Sequence, residues 1–258
     1  MSSPYEIVVS GVVGAAAGVL SGFLGIGGGA LIAPSLVLLL GIDLHRAQGI
    51  SLAALLPPVG LPAVLAYRKV GVRVKVLLVV ALVVGFVVGA PAGAWSAHRV
   101  PGLQLRWAFA AFLVLAAFNA VRAKPTVDRD EPEAAAPVRR LWLALPIGIL
   151  AGVMSGMLGV GGGLVALPML RRFLHLGRLE AQATTLAMML PPIGLPAVYV
   201  YAREQGGLPW ELLGAVAVGF VIGAGGGARL TSRVNTHSAT LVYAAFLVVM
   251  AITLVVGG

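Results

Sequence analysis

The 258-residue chain contains no cysteine, which removes disulfides, thiol catalysis and thiolate metal sites together. Charge is scarce as well. Asp, Glu, Lys and Arg make up 10% of the residues, where a soluble domain carries about a quarter. The acidic side chains are scarcest, nine against 18 Lys and Arg, for a net charge of +9. The four histidines, His45, His98, His175 and His237, show no metal-ligand spacing and read as ordinary interfacial residues. What fills the chain instead is apolar: 59% hydrophobic residues and a mean hydropathy of +1.00. Apolar runs at 47–67 and 76–95 reach the roughly 20 residues needed to cross a bilayer core. The chain therefore reads as an all-α polytopic membrane protein. Its positive charge is a topology signal, and no element resembles a nucleic-acid groove reader. The first six residues lack the basic start of a cleavable signal, so Ile7 onward is expected to be mature structure.

The most distinctive phrase occurs twice. Leu56-Pro57-Pro58-Val59-Gly60-Leu61-Pro62-Ala63-Val64 returns as Leu190-Pro191-Pro192-Ile193-Gly194-Leu195-Pro196-Ala197-Val198. The same 134-residue shift carries Ser21 onto Ser155, Gln48 onto Gln182, and Gly27, Gly28 and Gly29 onto Gly161, Gly162 and Gly163. Residues 14–118 align with 148–252 without a gap, at 45 identities in 105 positions. The chain is a duplicated unit: a first transmembrane repeat over 1–121, a hydrophilic linker over 122–140, and a second repeat over 141–258.

Each repeat opens with an apolar stretch broken by glycines. Residues 7–40 are too long for one crossing at 1.5 Å per residue. In the second copy only seven residues, 164–170, separate the glycines from Arg171-Arg172, too few to span a core of roughly 30 Å. Each stretch is therefore expected to be a helical hairpin with a Gly-rich tip, entering and leaving on one side. Three spans follow in each repeat, at about 47–67, 76–96 and 105–121, then 181–201, 212–228 and 240–256. Two such repeats cross an odd net number of times and are inverted. That places 14 of the 18 Lys and Arg on one face, with only Arg46, Arg99, Arg106 and Arg203 on the other. The positive-inside rule then makes the linker cytoplasmic and both ends extracytoplasmic.

The motifs sort by what they can do in a membrane. Gly25-Ile26-Gly27-Gly28-Gly29-Ala30 matches a dinucleotide-binding pattern, but that pattern needs a preceding strand, and here an apolar helix precedes it. The hairpin tips instead expose backbone N–H groups at a helix N-terminus, which suits an anion; close helix packing is the competing explanation. Pro57 and Pro58, with Pro191 and Pro192, must break the spans they occupy, as in the broken helices beside a transporter's substrate path. One to two turns earlier lie Gln48 and Ser51, matched by Gln182 and Thr185, neutral donors for a ligand or for neighbouring helices. Gly85, Gly89 and Gly93, repeated as Gly219, Gly223 and Gly227, form a small-xxx-small ridge expected to serve packing. Apart from Arg106 at the start of 105–121, the spans hold no Asp, Glu, Lys, Arg or His, so an intramembrane proton relay, carboxylate protease or metal oxidase is not expected. Voltage-driven anion movement fits that absence.

Paired G-x-G-G-G tips, each followed five residues later by Pro34 or Pro168, and a basic linker between similar halves resemble the TauE/SafE family. The resemblance implies a multi-pass permease of the cell inner membrane that exports sulfite, organosulfonates or related small sulfur-containing oxyanions. An anion channel of the same architecture, or a non-transporting accessory subunit, are the alternatives. The expected partners are the small anion and the lipid bilayer, with a homodimer as an option and no nucleic acid. No catalytic residue, metal or cofactor is expected. The substrate-binding expectation comprises Gly27, Gly28, Gly29, Gly161, Gly162 and Gly163 as backbone donors, and Ser21, Ser155, Gln48, Gln182, Ser51 and Thr185 as side chains. Pro57, Pro58, Pro191 and Pro192 flank them.

Overall fold

A computed structural model describes residues 2–24, 29–56, 72, 74–122, 141–230 and 236–256. Among the described residues there are eleven α-helices and no strand, so the dinucleotide pattern has no βαβ unit around it. The first repeat supplies α1 (Pro4–Leu24), α2 (Gly29–Leu40), α3 (Leu44–Ala54), α4 (Val76–Ala97) and α5 (Gly102–Arg122). After a short 3-10 turn at Leu141–Leu143, the second supplies α6 (Ala144–Leu158), α7 (Gly163–Phe173), α8 (Arg178–Met188), α9 (Leu195–Glu204), α10 (Trp210–Leu230) and α11 (Thr236–Val256). Among the described residues, five helices are long and apolar enough to cross a bilayer. Their outward faces are apolar too: Val76, Leu77, Val80, Val84 and Val88 form one exposed stripe down α4. Such a stripe suits hydrocarbon, where an intact helix leaves no backbone group unpaired. The four tryptophans, Trp95, Trp107, Trp142 and Trp210, lie near helix ends and are all exposed, at the level where aromatic rings favour the membrane interface. The molecule is a multi-pass membrane protein.

A helix pair flanks each glycine-rich segment. α1 and α2 flank residues 25–28, which lie outside the described residues, and α6 and α7 flank 159–162. α7 differs in length from its seven-residue expectation. It runs through Arg171 and Arg172 to Phe173, because arginine propagates a helix well and its charge complements the C-terminal dipole. At 11 residues it still rises only about 16 Å. The span expected at 181–201 is two helices, α8 and α9, parted at 189–194 where Pro191 and Pro192 stand. The matching break at Pro57 and Pro58 lies outside the described residues, as does the linker 123–140.

The repeats are interlocked, and the glycine ridges do it. α1 packs along α10, and α6 along α4, as the two most extensive helix contacts. A Cβ on Gly14 or Gly18 would lie 2.2 or 2.3 Å from the carbonyl oxygens of Val216 or Phe220. The equivalent Gly148 and Gly152 meet Leu82 and Phe86 in the same way, at 2.4 and 2.5 Å. From the opposite helix, Gly85, Gly89 and Gly93 sit on the carbonyls of Leu145, Ile149 and Val153, and Gly219, Gly223 and Gly227 on those of Gly11, Ala15 and Val19. Numbers rise together in both pairs, so α1 runs parallel to α10, and α6 to α4. Only hydrogen fits at these positions, and close backbone approach is the means of helix association where no hydrophobic drive exists. The packing reading of the ridge is correct, and the partner of each ridge belongs to the other repeat.

Candidate functional site

The short helix α3 stands at the centre. Nine of its 11 residues are buried, including Gln48 and Ser51. Asp43 caps it, the carboxylate accepting from the His45 amide at 2.9 Å, the usual way to satisfy a first-turn donor. Gly29, at the start of α2, and Gly159, at the end of α6, both press against α3. The Ser51 hydroxyl lies 2.7 Å from the Gly159 carbonyl and 3.2 Å from that of Gly29. Its single proton serves one acceptor at a time. The start of α2 also meets the second glycine-rich turn: a Cβ on Gly29 would lie 2.4 Å from the Val160 carbonyl oxygen. The second tip owes its shape to two left-handed residues, Gly159 (φ 71°), which ends α6, and Gly161 (φ 74°), a conformation glycine adopts without steric cost.

Where α3 ends, a cavity of about 20 Å³ opens between Leu52, Leu55 and Leu56 on one side and Phe86, Ser155, Gly161, Met189 and Pro191 on the other. That is room for a water. The lining is apolar with one exception. Ser155 is fully buried and its Oγ has no hydrogen-bond partner. A buried hydroxyl without a partner costs about 1–3 kcal/mol.

The expected site residues divide by position. Ser155, Gly161 and Pro191 line the cavity. Gly162, at its edge, holds the Phe86 ring, which a Cβ would meet at 2.3 Å, and Gly163 opens α7. Gly29 and Ser51 lie behind it in the tip–α3 contact. Gln48 is buried one turn away, with Nε2 unpartnered. Gln182 and Thr185 are buried on α8, where Thr185 donates back to the Ala181 carbonyl at 2.8 Å. Ser21 is half-buried on α1, and Pro192 is exposed. Gly27, Gly28, Pro57 and Pro58 lie outside the described residues.

One residue escaped the sequence reading. Tyr201 on α9 is fully buried, and its hydroxyl lies 3.0 Å from Gln48 Oε1 and 2.9 Å from the Gly156 carbonyl. It fastens α9 to both α3 and the last turn of α6. The available signal was the repeat: Tyr201 matches Tyr67 under the shift that matches Gln48 with Gln182.

Glycine tips, a broken span and a helical duplication together describe a permease, and the comparison with known proteins agrees. The family model for the Sulfite exporter TauE/SafE matches residues 11–254. The chain belongs to the TauE/SafE family. It is also similar to the probable membrane transporter protein YdhB of Bacillus subtilis (strain 168), at 29% identity over 216 residues, covering 83% of this chain and 86% of that protein. No solved structure matches. Membership in a membrane transporter family speaks for a permease and against an enzyme, and it implies a small-molecule substrate and the bilayer as partners.

Proposed function

We propose that this TauE/SafE protein is a secondary transporter that exports small sulfur-containing oxyanions, sulfite or short organosulfonates, across the cell inner membrane. The observation that carries the reading is Ser155: a buried residue with an unpartnered hydroxyl among those that line a cavity between the second glycine-rich turn and a broken span. An anion there would accept from Ser155 and from tip backbone donors, with Gln48 in reserve. Apolar walls strengthen such bonds by excluding water.

The helix directions support an inverted-repeat transporter. His45 meets Ala97 at 3.0 Å, and the His98 and Tyr201 rings lie 4.8 Å apart. α4 thus ends where α9 ends and α10 begins, so α4 and its repeat-mate α10 run oppositely. Lys75, at the start of α4, meets Glu180 near the start of α8 at 3.9 Å. Arg46, Arg99 and Arg203 therefore collect at one end of a 22-residue helix, and Lys75 with the start of α8 at the other, as the charge split requires.

The test is a thermal-shift screen of the purified protein with sulfite, sulfoacetate, taurine, sulfate and small carboxylates. Binding of the native state raises the melting point with ligand concentration. A shift confined to sulfur oxyanions, and lost in Ser155→Ala, is expected. A shift confined to carboxylates, or none with any anion, contradicts the proposal.

A further inference from the structure

Among the described residues that line the cavity, Ser155 carries the one polar side chain, and none carries a charge. The shortage extends through the interior: among the described residues no Asp, Glu, Lys, Arg or His is buried. An anion seated here therefore meets neutral donors alone. They are the Ser155 hydroxyl and the first N–H groups of α7, which have no acceptor within their own helix. One charge can be held this way, because hydrogen bonds to an ion are strong where water is excluded. A second charge on the same ligand finds no cation, and an unpaired buried charge is penalised heavily. The repeat preserves the pattern, with Leu56, Phe86 and Ser155 matched by Leu190, Phe220 and Ser21.

The lining is graded in burial. Ser155 is fully buried, Leu55, Leu56 and Met189 are half-buried, and Pro191 is exposed. The ends of two flexible side chains cover Gly161: Leu55 Cδ1 lies 3.1 Å and Met189 Cε 3.5 Å from where a Cβ would stand. Leu55 and Met189 come from different repeats and are mates under the 134-residue shift. Leu56 Cδ2 lies 3.4 Å from the Cβ position of Gly194. At about 20 Å³ the cavity takes a water, and these half-buried, flexible ends are what a larger guest displaces. Phe86, by contrast, is fixed against Gly162. The displaced ends offer apolar surface only, including a methionine, whose thioether adapts to irregular shapes. Ligand oxygens gain nothing there, whereas methyl and methylene groups do.

We infer that the site takes a singly charged organosulfonate with a short alkyl group, its oxygens on Ser155 and the start of α7 and its alkyl group among Leu55, Leu56 and Met189. An alkanesulfonate spreads one charge over three oxygens and turns an apolar group away from them, which is the division the lining shows. Of sulfite, only the singly protonated form meets the charge requirement, and it leaves the apolar wall unused. Sulfate and disulfonates, with two charges, are rejected. This assignment rests on the transporter reading and narrows its substrate, so the test separates the two.

Isothermal titration of the purified chain in detergent, corrected against protein-free micelles, compares methane-, ethane- and propanesulfonate with sulfate and ethanedisulfonate. Each added CH₂ should tighten Kd about fourfold. Sulfate and the disulfonate should bind roughly a hundredfold or more weaker than propanesulfonate. Met189→Gln and Leu56→Asn stay close in size while adding polarity, and each should flatten the chain-length series. They stand in different repeats, so a folding defect in one leaves the other to report. A flat series in wild type, a series unchanged in both variants, or sulfate bound as tightly as propanesulfonate overturns the inference and leaves an anion transporter in place. Binding of no anion to the folded protein refutes the transporter reading, and the inference with it.

Discussion

Two glycines three residues apart on α10 should respond to alanine with opposite signs. Gly223 faces α1, and a Cβ there would lie 2.1 Å from the Ala15 carbonyl oxygen. Carbon–oxygen contacts in helix pairs sit at about 3.3–3.6 Å, so Gly223→Ala must drive α10 and α1 apart by about 1 Å. Neighbouring contacts at Gly219 and Gly227, both at 2.1 Å, would loosen with it. Overpacking of this kind costs about 1–3 kcal/mol. Gly226 has nothing within 4 Å of its Cβ position, and replacing glycine by alanine inside a helix gains roughly 0.5–1 kcal/mol. Thermal unfolding in one detergent should therefore place Gly223→Ala below wild type and Gly226→Ala level with it or above. Gly89→Ala, the repeat-mate of Gly223→Ala and 2.2 Å from the Ile149 carbonyl, should match its loss. Equal melting points for Gly223→Ala and Gly226→Ala, or a harmless Gly89→Ala, would refute the interlocked glycine packing.

Further outcomes follow from the site. Ser155→Ala removes a buried hydroxyl without a partner, so its melting point should hold or rise while anion affinity falls; a hydrogen bond to a charged group is worth about 1.5–3 kcal/mol, or tenfold and more in Kd, and isothermal titration reads it. Tyr201→Phe strips a donor from Gln48 and Gly156 and should lower stability by about 1–3 kcal/mol, measurable by denaturant titration. Gly162→Val should disrupt the Phe86 contact, and Gly161→Ala is strained by φ 74°, so both should lower the melting point. Reporter fusions after Thr126 and after Gly258 should fall on opposite faces of the membrane, and finding both on one face would end the inverted arrangement.

The helices and their breaks were legible in the sequence because they depend on local chemistry. A run such as 76–97 has one stable form in lipid, and Pro191-Pro192 interrupts a helix wherever it stands. The gap-free repeat also made equivalent positions readable, so Ser21 and Ser155 could be paired before any geometry. What was not legible was contact across the repeats. The Gly85–Gly93 ridge announces close packing but does not say against what, and α6 is a partner more than fifty residues away. The same limit hid Tyr201, His45 and His98. Each looks ordinary in or beside its own span, and their meaning comes from the start of α3 and the ends of α4 and α9 meeting at one place. The reach of α7 through Arg171-Arg172 was missed for a simpler reason: polar residues end an apolar run without ending a helix.

The central claim is that the cavity beside Ser155 carries a sulfur oxyanion across the membrane. The most direct measurement is flux of sulfite and of a short organosulfonate in proteoliposomes at a clamped membrane potential, with wild type and Ser155→Ala reconstituted at equal density. Saturable flux in wild type, with half-saturation raised about tenfold or more in Ser155→Ala, is the predicted result. Undiminished flux in Ser155→Ala, or no flux of either anion through folded wild-type protein, would contradict it.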